Sequence, residues 1–78
     1  MIGDDLVLFL RARMEAIIGG RVGDDDDLFE LGLDSLEAVE ITGEIEDRWG
    51  LMLDPELLFE HPTIAAIVGA VRTAPRKS

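Results

Sequence analysis

Residues 31–50 read LGLDSLEAVEITGEIEDRWG, and this stretch carries the signals for both ends of one helix. Asp34 is a favourable N-cap residue, and Glu37 stands three positions later, as in a capping box. Gly50 follows the last apolar position, and glycine commonly ends a helix. The stretch therefore predicts a helix from Ser35 to Trp49.

This helix is predicted to have an apolar side and an acidic side. Residues at helical spacing form the expected inward stripe: Ala38, Val39, Ile41, Thr42, Ile45 and Trp49. Acids recur on the expected outward side: Glu37, Glu40, Glu44 and Asp47. Like charges at this spacing repel by about 0.2–0.5 kcal/mol per pair. The acidic side gains nothing by itself, but it would favour a basic protein partner.

Similar signals predict the other helices. The first runs from Asp4 to Ile18, ends at a pair of glycines, and has these residues on one face: Leu6, Leu10, Met14 and Ile17. A short third helix is predicted to start at Asp54-Pro55, with Pro55 as its first helical residue, and to end near Glu60; its apolar side is made of Leu57, Leu58 and Phe59. Thr63 caps a fourth helix that carries Ile64, Ile67, Val68 and Val71. We expect an all-α fold, a small four-helix bundle with three main helices and one short helix.

Residues 21–34 are predicted to form a long ordered loop between the first two helices. Gly23, Gly32 and the aspartate run Asp24–Asp27 oppose a long helix there. Four residues are too apolar for a solvated linker and should hold the loop on the core: Leu28, Phe29, Leu31 and Leu33. The aspartate run lacks the glycine and glutamate positions of a calcium loop, so we interpret it as a solvated charge run.

The length of 78 residues and the absence of cysteine predict one small domain without disulfides. Its core should span residues 5–71 approximately, followed by a flexible basic tail over 72–78. Between residues 24 and 60 there are fourteen acids and one base, within a chain of net charge −10. This disfavours nucleic acid and anionic membranes as partners, although the acids could simply maintain solubility. No apolar run approaches the ~20 residues of a membrane span. We expect a cytoplasmic, independent, monomeric protein.

Ser35 supplies a hydroxyl in the first turn of the predicted helix, with no evident base to activate it. The only histidine, His61, precedes a proline at a helix junction, and we interpret it as a turn or capping residue. The sequence indicates no metal site, so a non-catalytic protein is expected. Ser35 is then either an ordinary helix-start residue or a group that another enzyme modifies.

Three segments together resemble the acyl carrier protein family: LGLDSL at 31–36, EAVE at 37–40 and LFEHPTI at 58–64. The resemblance extends over residues 5–71 approximately. It implies that Ser35 receives 4′-phosphopantetheine from coenzyme A through a separate phosphopantetheinyl transferase. It also implies that Asp34 assists modification and docking. The resemblance further implies a docking surface made of Leu36, Glu37, Glu40, Glu46 and Asp47.

Details of the resemblance favour a polyketide-type carrier of specialised metabolism. Peptidyl carriers more often have a residue other than aspartate before the serine, and Gly43 replaces a large apolar residue of fatty-acid carriers. The expected partners are an acyltransferase, a ketosynthase or an adenylating enzyme, each with a basic docking patch. Two alternatives stay open: a stand-alone aminoacyl or peptidyl carrier loaded by an adenylating enzyme, and an unmodified acidic helical adaptor.

Overall fold

The computed structural model describes residues 2–77, without the side chain of Ile2. The helices, in chain order, are α1 (Ile2–Ile18), α2 (Leu28–Leu31), α3 (Ser35–Trp49), α4 (Leu57–Glu60) and α5 (Ile64–Arg72). No β-strand is formed between residues 2 and 77, and the predicted all-α class is confirmed. None of these helices is both long and apolar enough to cross a membrane.

The predicted ends of α3 are confirmed at both residues. Gly50 adopts a left-handed conformation (φ 64°) that favours glycine, and its N–H donates to the carbonyl of Glu46. The prediction of the start of α4 was less accurate, because this helix begins at Leu57 and not near Pro55. Asp54 explains the delay: its Oδ1 accepts a hydrogen bond from the N–H of Glu56 (2.8 Å). This local turn competes with helix formation over the two residues that follow it.

The loop between α1 and α3 contains a helix that the sequence did not predict, the single turn α2. Asp27 starts it, because its side chain accepts hydrogen bonds from the N–H groups of Phe29 and Glu30. Gly32, with φ 125°, ends it. One turn has too little apolar periodicity to be seen in the sequence, and its cap is hidden inside a run of aspartates.

The loop is held on the core as predicted, but not by every apolar residue named for that role. Leu28 and Leu33 are buried and Phe29 is half-buried, whereas Leu31 is 39% exposed. Leu31 is the last residue of this single turn and is followed by the exposed Gly32, so it lies at the rim of the core although it shares a helix face with Leu28. The prediction for Leu31 was therefore wrong. Two backbone hydrogen bonds also fasten the loop: Leu28 N to Pro62 O (2.9 Å) and Ala65 N to Asp24 O (3.0 Å).

The aspartate run is not the freely solvated segment that the sequence indicated. Asp24 forms an ion pair with Arg11, and Asp26 accepts a hydrogen bond from the N–H of Gly23 (2.7 Å). Asp27 is the N-cap of α2. Three of the four carboxylates thus shape the loop. The sequence did not indicate this, because Arg11 is distant from the run and because a run of identical residues does not show which aspartate is the cap.

The core lies between α1, α3 and α5, with α2, α4 and the loops closing it. Its apolar members are Leu6, Leu10, Met14, Val22, Leu28, Leu33, Ala38, Ile41, Ile45, Leu51, Leu57, Leu58, Ile64, Ile67, Val68 and Val71. Thr42 is buried as well, and its hydroxyl donates to the carbonyl of Ala38 (2.9 Å), so the polar group is satisfied.

Two aromatic contacts lie at the edges of this core. Trp49 is half-buried against Phe9, with ring centroids 5.6 Å apart in an edge-to-face arrangement. Phe59 was predicted on the apolar side of α4 but is 45% exposed. Its ring stacks on that of Phe29, with centroids 5.1 Å apart, so it joins the two short helices at the surface.

The tail over 72–78 was expected to be flexible, but Arg72 belongs to α5 and residues 75–77 pair with the segment that follows α3. Met52 N donates to Pro75 O (2.8 Å), and Lys77 N donates to Gly50 O (2.9 Å). Leu51 and Arg76 form an isolated antiparallel bridge. The left-handed turn at Gly50 is followed by an extended segment, whose backbone groups need partners from outside the helix. The sequence of the tail carries no sign of this long-range pairing.

Candidate functional site

Ser35 is the first residue of α3, and its side chain is exposed. The preceding Asp34 is the N-cap: its Oδ1 accepts from the N–H of Glu37 (2.8 Å). In return, Glu37 Oε1 accepts from the N–H of Asp34 (3.2 Å). The predicted capping box is therefore confirmed. Because Asp34 and Glu37 perform the capping, Ser35 is not needed for it.

The hydroxyl of Ser35 makes no side-chain hydrogen bond within residues 2–77. Among those residues, the hydroxyl is therefore not hydrogen bonded to a side-chain base. The hydroxyl stands at the positive end of a helix of 15 residues. An anion attached there is favoured by the free N–H groups and by the helix dipole, typically by about 0.3–1 kcal/mol. The arrangement suits a hydroxyl that accepts a phosphate-containing group from elsewhere.

Asp34 has a structural role that can be separated from its charge. Replacing Asp34 by alanine removes the cap and should lower the free energy of unfolding by about 1 kcal/mol. Replacing it by asparagine keeps a side-chain oxygen acceptor and should change stability by less than half of that. Urea denaturation followed by circular dichroism measures both variants. Equal losses would mean that the negative charge, and not the capping hydrogen bond, stabilises the start of α3.

Three of the five predicted docking residues lie open on the surface of α3. The side chain of Leu36 is 69% exposed, Glu40 is exposed, and the Asp47 side chain is 83% exposed. Exposure of Leu36 excludes ordinary core packing for that residue. The positions of these three are separated by four and seven residues, which places them on one stripe of the helix.

The other two predicted docking residues are engaged by the chain itself. Glu37 is half-buried and closes the capping box. Glu46 is half-buried, and its Oε2 accepts a hydrogen bond from the N–H of Leu53 (3.0 Å). A third acid predicted to face outward, Glu44, receives two hydrogen bonds from Arg13 (2.9 and 3.1 Å). These acids lie along the two edges of the exposed side of α3 and not along the middle of that side.

The prediction from sequence placed one exposed residue on the wrong side of α3. Val39 was placed in the inward stripe but is 44% exposed. It lies three residues after Leu36 and four before Gly43, and this spacing should have placed it outside. We call the set Leu36, Val39, Glu40, Gly43 and Asp47 the outward face of α3. Leu31 and Phe59, on the two short helices, are further exposed apolar residues.

This geometry is that of a known family of proteins. The family model described as a phosphopantetheine attachment site matches residues 9–71. The chain belongs to this family. Its members carry 4′-phosphopantetheine, and carrier domains of this kind work with the enzymes of synthases. The resemblance inferred from the motifs is thus confirmed, as is the assignment of the chain to the carrier proteins.

Individual relatives of the carrier include both polyketide and peptide systems. The spectinabilin polyketide synthase system protein NorA' of Streptomyces orinoci is 41% identical over 68 residues, covering 82% of the carrier and 2% of that protein. A free-standing peptidyl carrier protein from Acinetobacter baumannii matches with a TM-score of 0.76 and 27% identity, covering 87% of this chain and 89% of that chain. BlmI of Streptomyces verticillus, a type-II acyl carrier protein involved in bleomycin biosynthesis, matches with a TM-score of 0.75 and 27% identity, covering 88% and 84%. The carrier therefore spans a very small part of the long synthase and most of each small carrier.

Proposed function

We propose that this chain carries acyl intermediates on 4′-phosphopantetheine attached to the Oγ of Ser35, in polyketide-type specialised metabolism. The observation that supports this best is the exposed Ser35 hydroxyl, free of side-chain hydrogen bonds within residues 2–77, at the capped start of α3. It lies inside the region matched by the phosphopantetheine-attachment family. The residues around it fit the group, because a phosphodiester on Ser35 would stand at a helix N-terminus.

The chain's own part is to hold and present the attachment point, without catalysis. When bound, the prosthetic group supplies the thiol that a chain without cysteine lacks, and acyl groups are held on that thiol as thioesters. Asp34 and Glu37 fix the first turn of α3, so Ser35 projects from a rigid helix end. Asp34 also adds a negative charge beside the attachment point, which we assign to recognition by the transferase that modifies Ser35.

Docking is assigned to the acidic side of α3. Leu36, Glu40 and Asp47 are the exposed members of the proposed surface, and Glu37 and Glu46 add charge at its edges. Basic patches on a transferase, an acyltransferase or a ketosynthase would meet these carboxylates. Exposed charge pairs give rapid, salt-sensitive association and modest affinity. Modest affinity suits a carrier that must leave one enzyme before it reaches the next.

The proposal is tested by the intact mass of the chain after incubation with coenzyme A and a broad-specificity phosphopantetheinyl transferase. We expect a gain of one phosphopantetheine per chain. An unchanged mass would contradict the carrier function and favour the adaptor alternative, an unmodified acidic protein that binds basic partners. The same incubation without the transferase is the control and should leave the mass unchanged.

An aminoacyl or peptidyl carrier is the second candidate, and the similarity to a free-standing peptidyl carrier supports it. The similarity to a polyketide synthase protein and the aspartate before Ser35 support the acyl carrier. Loading assays on the modified chain separate the two. Transfer from acyl-coenzyme A donors by an acyltransferase supports the first, whereas ATP-dependent loading of amino acids by an adenylating enzyme supports the second.

A further inference from the structure

Gly43 lies in the middle of α3, on its outward face, and the fold does not require a glycine there. Its backbone is helical, without a positive φ, and a Cβ added at this position would meet nothing within 4 Å. Glycine inside a helix is less favourable than alanine because it loses more conformational freedom on folding. The residue therefore lowers the stability of α3 without relieving any steric conflict within residues 2–77.

The absent side chain leaves a recess on the outward face. Leu36 and Val39 project from the turns before Gly43, and Asp47 projects from the turn after it. Gly43 is half-buried although it has no side chain and lies on the outward face, so the neighbouring side chains shield it. A single side chain of a partner can still reach the recess from above.

The charges around the recess indicate what kind of partner fits. Glu40 and Asp47 are exposed carboxylates on either side of Gly43, seven residues and hence about 10 Å apart along the helix. The remaining acids of α3 are hydrogen bonded within the chain. Lys77 approaches Asp47 to only 3.9 Å, and both side chains are at least half exposed. Such a pair contributes little, so a partner's cation can replace Lys77.

We propose that the outward face of α3 receives one large apolar side chain of a partner protein in the recess over Gly43, between two cationic side chains that pair with Glu40 and Asp47. This deepens the proposed carrier function and rests on it, because it specifies the partner surface that the docking helix selects. A second copy of the chain does not fit this description, since the face is acidic and the chain has a net charge of −10.

A pair of helical peptides tests the proposal. One peptide carries phenylalanine, with one arginine four residues before it and another three residues after it. When this peptide lies antiparallel to α3 with its phenylalanine over Gly43, the spacing of the two arginines matches that of Asp47 and Glu40. The other has alanine in place of the phenylalanine. Titration of the full chain, followed by NMR, should give a dissociation constant about tenfold lower for the phenylalanine peptide, as expected for partial burial of one ring. Equal affinities, or no binding of either peptide, would overturn the proposal.

Filling the recess gives the sharper comparison. Gly43→Leu keeps good helix propensity and should remove the preference for phenylalanine, bringing the ratio of the two dissociation constants close to one. Tighter binding of the phenylalanine peptide by Gly43→Leu would overturn the proposal, because the glycine would then be a missing contact and not a recess. Gly69→Leu is the matched control: Gly69 is also inside a helix with nothing within 4 Å of an added Cβ, and the variant should keep the native ratio.

Two further measurements separate the contributions. Combined Glu40→Gln and Asp47→Asn substitution should weaken both peptides equally and reduce the salt dependence of binding, while the phenylalanine preference is retained. Loss of that preference would contradict the proposal that the two carboxylates and the recess contribute separately to binding. Modification by coenzyme A and the transferase is measured on the native chain by mass. A chain that is modified but shows no phenylalanine preference contradicts the recess alone, whereas a chain that is not modified contradicts the carrier function.

Discussion

Alanine at position 35 is expected to abolish attachment of phosphopantetheine completely while the fold stays intact. In the proposed function the Oγ of Ser35 is the atom that bonds to phosphorus, and alanine has no atom in its place. The fold does not need it, because Asp34 and Glu37 cap α3 and the serine side chain is exposed. The free energy of unfolding should change by no more than about 0.5 kcal/mol.

Intact mass after the transferase reaction, together with a thermal melt, measures both parts of this expectation. Thr73→Ala is a suitable control, since it removes another exposed hydroxyl, one that donates to the carbonyl of Ala70 (3.1 Å). That variant should be modified as fully as the native chain. A Ser35→Ala chain that still gains the mass of the arm would show that the attachment point lies elsewhere.

Truncation of Leu28 to alanine is expected to cause a large loss of stability, although this residue lies outside the three long helices. Leu28 is completely buried although it belongs to the loop region, and Leu→Ala changes at such sites cost about 2–5 kcal/mol. Domains of this size have only about 3–5 kcal/mol in total. The variant should therefore be largely unfolded, or melt far below the native chain.

Leu31→Ala provides the matched comparison within α2. Leu31 is three residues away but 39% exposed, so its truncation should cost less than about 1 kcal/mol. Urea denaturation followed by circular dichroism compares the two variants directly. Similar losses for Leu28→Ala and Leu31→Ala would contradict the burial of Leu28 and the exposure of Leu31, and would mean that α2 packs differently in solution.

The helices whose signals are local were predictable, and the features that depend on distant contacts were not. Both ends of α3 follow from residues next to them, because a cap satisfies backbone groups within one turn. The pairing of the tail with residues 50–52 depends on a segment more than twenty positions away. Similarly, the start of α4 was misplaced because Asp54 forms a turn and not a cap, and the two alternatives look alike in sequence.

The candidate site also combines features that local sequence signals predicted with features that depend on distant contacts. Ser35 and its capping neighbours were predicted because motif and cap coincide in one short stretch. The acids of α3 were predicted as a uniform face, but Arg13 and the N–H of Leu53 bind two of them. Those partners come from α1 and from the loop after α3, so the sequence of the helix alone could not have revealed them. The sequence therefore could not distinguish the acids that hold the fold from the acids that are free to bind.

The two bonded edges of α3 have a consequence for the proposed docking of partner enzymes on this helix. Glu44 is held by Arg13 on one side and Glu46 by the backbone of Leu53 on the other, which opposes rotation of the helix about its axis. A rotation of about 100° would replace each displayed residue by its neighbour in the chain. A helix held in this way presents one pattern before any encounter, so association loses less entropy to ordering. Under the proposed function, exchange between partner enzymes then becomes a competition among their docking surfaces for the same pattern.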